Sequence, residues 1–255
     1  MIYENNKYTD KFYHLMPNRR YMVSIEAAIR YPMNKEDWIK TLAIGGVLVL
    51  FSFLIVPAIV VYGYLITAIR DSLEGSAEPP AFEDWGSLLR KGILGWVIGI
   101  IYLIVPILIA LVTVGGSIAA MATGSRAGQA AGLAGMFGGL GVSAILSLIF
   151  GYFAVVGLVN FARTDEFGAA FDFSTIRQVA FDSDYFVPWL LSIGVFIVAS
   201  ILSGILNVVP FLGAIVAAFV FFYADVVAAT LWADGFTSAF GNGGREPTSG
   251  EEATA

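Results

Sequence analysis

The sequence predicts an all-α integral membrane protein, a helical bundle of six transmembrane helices in three hairpins with short cytoplasmic amphipathic helices. Three observations carry this reading. Hydrophobic residues make up 58% of the chain and charged residues only 13%, against roughly 45–50% and ~25% in soluble domains. Mean hydropathy is +0.78. The basic residues, finally, sort onto one side of the membrane only if the chain crosses six times.

Residues 1–23 form a polar leader in which Lys7, Lys11, Arg19 and Arg20 mix with Glu4 and Asp10. They lack the order of a secretory signal, which needs a basic start, an apolar run and a small-residue cleavage site. Met16 and Met22 offer later starts, and the amphipathic run opening at Ser24 reads as the real beginning. The membrane domain is expected over 24–236, and a disordered Gly/Ser/Thr/Pro/Glu-rich tail over 237–255.

From Ile39 to Ile69 only Lys40 is charged. Thirty-one helical residues would be ~46 Å long, too much for one ~30 Å crossing and short for two. Pro57 lies near the middle, where it either kinks one helix or opens the second arm of a hairpin. With a hairpin, thirteen of the fourteen Lys and Arg residues fall inside and only Arg126 falls outside. With a kinked helix the split is eight to six. Positive charge near span ends favours the cytoplasm, so the hairpin is preferred. The spans are then 39–55, 57–70, 93–114, 140–161, 187–207 and 210–232, with both termini cytoplasmic; residues 115–138 read equally as loop or helix.

Trp38, Trp85, Trp189 and Trp232 fall at the predicted cytoplasmic span ends, as an aromatic belt requires, and only Trp96 lies deeper. Three amphipathic stretches collect on the same side: Ile25, Ala28 and Ile29; Phe82, Trp85, Leu88 and Leu89; Phe167, Phe171, Val179 and Phe181. An internal parallel repeat relates 24–75 to 174–235, with Trp38 to Pro57 spaced by 19 residues and Trp189 to Pro210 by 21.

Asp225 is the one acidic residue well inside a span. A carboxylate there must face protein, water or a cation. Arg163, Asn160 and Arg70 are the candidate partners at similar depth, and Asn207 sits at an outer turn. These five form a candidate intramembrane polar site, open to a structural pairing or to contact with a proton, ion or substrate. Gly95, Gly99, Gly124, Gly128, Gly132, Gly135 and Gly139 suit a smooth helix-packing stripe.

Other chemistries find little footing. There is no cysteine, and His14 is the single histidine, so neither a thiolate site nor a histidine-built metal centre or triad is expected. A net charge of −6 does not suit nucleic acid. No catalytic residues, metal ligands or cofactor are expected. The acidic loops, with nine arginines to five lysines, suit a halophile's high-salt cytoplasm.

The runs Glu26-Ala-Ala-Ile-Arg-Tyr-Pro32, Leu54-Ile-Val-Pro57 through Tyr62-Gly63-Tyr64, and Pro79-Pro80-Ala-Phe82-Glu-Asp84-Trp85 resemble the archaeal, mostly haloarchaeal, domain-of-unknown-function 4013 family of polytopic membrane proteins. The resemblance covers about Ser24 to Phe236. It implies topology and lineage but no activity. A non-enzymatic scaffold or small transport-related component in the cell membrane is therefore expected, with bilayer lipid and a second copy or another membrane protein as partners. The alternative is a membrane enzyme working on lipid headgroups through Asp71, Glu83, Asp84, Asp165 or Asp182.

Overall fold

The computed structural model describes residues 19–206, 208 and 211–242; residues 1–18 of the leader, Asn207, Val209, Pro210 and residues 243–255 lie outside them. All regular structure among the described residues is helical. In chain order the helices are α1 (Arg19–Arg30), α2 (Trp38–Leu50), α3 (Val56–Leu73), α4 (Trp85–Ala122), α5 (Arg126–Thr164), α6 (Phe173–Ala180), α7 (Ser183–Leu206) and α8 (Leu212–Asn242). Short 3-10 turns follow α1 at Tyr31–Met33 and precede α6 at Phe167–Phe171. Five helices, α3, α4, α5, α7 and α8, are long and apolar enough to cross a membrane.

The stretch around Pro57 reverses direction. Helix α2 ends at Leu50, Ile55 takes a positive φ of 34°, and Pro57 stands in the first turn of α3, where its missing N–H costs nothing. Gly45 of α2 and Tyr64 of α3 both lie against Phe222 of α8, the latter with ring centroids 5.3 Å apart. A continuous helix would hold these two positions roughly 28 Å apart. The expected span 39–55 is nevertheless helical only to Leu50. At 13 residues, α2 is roughly 20 Å long, short of a full crossing by itself.

The stretch 115–138 is helix except for a tight turn. Gly124 takes φ +70°, and the Ser125 hydroxyl accepts the Gly128 N–H at 2.9 Å, capping α5. Helices α4 and α5 run as a long antiparallel pair of 38 and 39 residues. Gly128, Gly132, Gly135 and Gly139 of α5 turn toward Ala120, Ser117 and Thr113 of α4, while Ser143 Oγ donates to the Pro106 carbonyl at 2.6 Å. Gly124 is not part of that stripe: it is the turn residue, with open space around it.

Around this hairpin, α3 and α8 complete the core, with Tyr64 stacked on Phe82 at 4.3 Å and both rings against Phe222. The expected amphipathic stretch at 82–89 is not a separate helix; Trp85 begins α4. Helix α8 runs on to Asn242, six residues into the expected tail, with Thr237 Oγ1 donating to the Ala233 carbonyl at 3.0 Å. Both halves of the predicted repeat open with a short amphipathic helix (α1, α6) and continue into a hairpin (α2–α3, α7–α8).

Helix α6 is started by Asp172, whose carboxylate accepts from the Ser174 N–H and hydroxyl and from the Thr175 hydroxyl. These bonds hold its pKa down to about 2. A depressed carboxyl contributes stability that is full above its unfolded value of ~3.9 and is lost as pH falls through the folded one. The thermal stability of the wild type should thus lead that of Asp172→Asn at pH 5, with most of the lead lost by pH 2. A lead persisting unchanged at pH 2 would contradict the capping assignment.

Candidate functional site

A cavity of about 320 Å³ lies where α2, α3, α4, α5 and α8 meet. Helix α8 presents two residues to it, Asp225 and, two turns on, Trp232. Tyr62 and Leu65 come from α3, Trp96 and Gly99 from α4, Ala154 and Leu158 from α5, and Val49 from the end of α2. The α3 and α4 walls meet closely because Gly95 lies against Tyr62 and Ile66, and Gly99 is 3.7 Å from the Tyr62 hydroxyl by its would-be Cβ.

The polar inventory is small and sharply distributed. Among the described residues Asp225 has no hydrogen-bond or ion-pair partner, and neither do the Tyr62 hydroxyl and the Trp96 indole N–H. The Trp232 indole is engaged, donating to Ser192 Oγ at 2.9 Å. The cavity therefore combines one carboxylate, two uncommitted side chains able to donate, and three aromatic rings. An unpaired carboxylate away from water takes up a proton, a counter-charge or hydrogen-bond donors. Aromatic faces attract cations further.

The residues expected to pair with Asp225 are committed elsewhere. Arg163 donates through Nε and Nη2 to Asn160 Oδ1 at 3.1 and 2.9 Å and lies 4.6 Å from the centroid of the Phe240 ring. Asn160 in turn donates to the Ala169 carbonyl at 2.8 Å, tying α5 to the 3-10 turn. Arg70 pairs with Glu74 one turn away on α3 at 3.0 Å. Asn207 lies outside the described residues. Arg163 and Asn160 thus form a unit of their own, and Asp225 faces a different set.

The sequence offers one hint of that set: Trp96 is the tryptophan that stands apart from the interfacial belt. Trp232, expected in that belt, turns toward the cavity. Gly63 and Gly92, outside the expected packing stripe, carry the closest approach in the bundle's α3–α4 crossing. The acidic loop residues have local duties. Asp84 caps α4 by accepting from the Ser87 N–H, Asp165 pairs with Arg90 at 3.4 Å, and Asp182 accepts from the Asp184 N–H. Among the described residues no group of three or more His, Asp or Glu is placed to hold a metal ion.

A family model described as "Protein of unknown function (DUF4013)" matches residues 49–208, more than half of the chain. The chain belongs to the DUF4013 family. The matched stretch begins at Val49 in the cavity wall and takes in the whole α3, α4 and α5 lining, while Asp225 and Trp232 lie beyond its end. No curated protein and no solved structure matches the chain.

Proposed function

We propose that this DUF4013 protein is a non-enzymatic, transport-related membrane component whose central cavity takes up a small cation. The observation that carries this is the partnerless Asp225 carboxylate beside Tyr62, Trp96 and Trp232 in a space of about 320 Å³. A carboxylate supplies the charge and aromatic faces supply cation–π attraction, worth ~2 kcal/mol or more when desolvated. Trp96 and Trp232 make the site self-reporting. Titrating the detergent-solubilised protein with tetramethylammonium chloride should change tryptophan emission saturably, and sodium chloride at equal ionic strength should not. A flat tetramethylammonium titration would remove the cation reading.

The proposed setting is a six-pass topology with both termini cytoplasmic, α2 and the turn after it serving as a short first pass. The thirteen-to-one sorting of Lys and Arg supports it, and the acid-rich loops support a halophilic cytoplasm. The sequence has no native cysteine, so single cysteines report cleanly. A membrane-impermeant maleimide should label position 126 from outside in intact cells and reach positions 78 and 172 only after lysis. Labelling of 78 from outside would reverse the α2–α3 hairpin and overturn the topology.

A further inference from the structure

Helix α6 stands off α4 and α5, and the gap is an apolar groove of about 520 Å³. Three ties hold the spacing. Tyr102 donates to the Ala170 carbonyl at 2.6 Å and stacks on Phe171, Tyr152 donates to the Ala180 carbonyl, and Asn160 donates to the Ala169 carbonyl. The floor is Ile101 and Val105 of α4 with Phe150 and Phe153 of α5, on surface continuous with the outward apolar faces of both helices.

The lip of the groove carries a different pattern. Phe173, Arg177 and, one residue past the helix end, Phe181 recur every four residues, so they lie along one side of α6. Phe173 and Phe181 are 77% and 78% exposed. Val179 is fully buried on the opposite side, so Phe181 does not share a face with it as the sequence pattern had suggested. Exposed phenylalanines flanking a cation are what a helix lying in the headgroup plane presents.

Arg177 is also uncommitted. Arg30, Arg70 and Arg90 each pair with a carboxylate, and Arg163 with Asn160. Arg177 has no such partner among the described residues, and the nearby acids are engaged: Asp172 with Ser174 and Thr175, Asp182 with the Asp184 N–H. A guanidinium with open donors at the mouth of an apolar slot is complementary to a phosphate ester bearing a hydrocarbon chain.

We propose that this groove is a binding site for one anionic phospholipid, its acyl chain over Ile101, Val105 and Phe153 and its phosphate on Arg177. The site is separate from the Asp225 cavity, with which it shares no lining residue.

The test is native mass spectrometry of the full chain with equimolar phosphatidylglycerol and phosphatidylcholine. The wild type should retain one phosphatidylglycerol with a preference of about fivefold or more, the scale of one basic side chain at a headgroup. Arg177→Gln should abolish the preference and Arg177→Lys should keep most of it. Arg90→Gln, which removes equal charge from the same face, should leave it intact. Val105→Trp fills the groove floor from an exposed position and should displace the lipid without altering charge. Three results would overturn the proposal: no preference in the wild type, equal losses in Arg90→Gln and Arg177→Gln, or full retention by a folded Val105→Trp. None of these bears on tetramethylammonium binding at Asp225.

Discussion

Gly63→Ala is expected to cost the protein most of its folded yield. A Cβ on Gly63 would overlap the carbonyl oxygen of Leu88 and lie 2.6 Å from its carbonyl carbon and 3.0 Å from the Gly92 nitrogen. A Cβ on Gly92 would overlap the Ile59 carbonyl oxygen in the same way. These obstacles are backbone, so no rotamer change relieves them; α3 and α4 must move apart. Overpacking a tight core costs ~1–3 kcal/mol and at times more. Here the damage spreads, because the displaced α3 carries Val60, Tyr64 and Ile66 into the core and Tyr62 into the cavity. Gly151→Ala is the control, since a Cβ there meets open space. Thermal unfolding in detergent should separate the two by many degrees. A Gly63→Ala protein that melts with the wild type would mean the helices do not cross this closely.

Asp225→Leu, by contrast, should fold at least as well as the wild type and lose the tetramethylammonium response entirely. Were Asp225 paired with Arg163 or Arg70, leucine would strand a buried cation at ~3–5 kcal/mol. Both arginines are satisfied elsewhere. What leucine removes is a carboxylate that no described side chain compensates, and relief of that desolvation favours the variant by on the order of 1–3 kcal/mol. Asp225→Asn should sit between the two in stability and also fail to respond, since an amide carries no countercharge. The decisive comparison is folded yield: a collapse in the leucine variant alone would reveal a protein cation paired with Asp225 and would dismiss the guest-binding cavity.

The two predictions rest on features that differ in how readable they are. Asp225, an acidic residue among Phe219, Val220, Phe221 and Val226, is conspicuous in any sequence. Its neighbours are not legible from depth along separate helices, which says nothing about which face each helix turns inward. Arg163 has the right depth and the wrong azimuth, drawn toward Asn160 and Phe240. The α2–α3 reversal was legible because Pro57 and the sorting of basic residues point the same way. The continuity of α4 and α5 through 115–138 was not, since glycine is a poor helix former in isolation. Only the partner helix, against which Gly132 and Gly139 close, makes that stretch helical. Gly63 and Gly92 carry no periodic marker at all; their role exists only once two backbones touch.

The length of the α4–α5 hairpin has a mechanical consequence. At 38 residues α4 is roughly 57 Å long, and fitting it within a ~30 Å hydrocarbon layer would demand a tilt of roughly 58°, beyond the ~40° that membrane helices reach. At least one end of the pair therefore protrudes, and the pair behaves as a lever. The fulcrum is the Gly63–Gly92 crossing, where interlocked backbones leave no room to slide. Trp96 and Gly99 of α4, one and two turns from the fulcrum on the loaded side, are cavity wall together with Ala154 and Leu158 of α5. A sideways load on the Gly124 turn is thus delivered to the space around Asp225, so that a partner pressing on that turn could alter the cavity's shape without entering it.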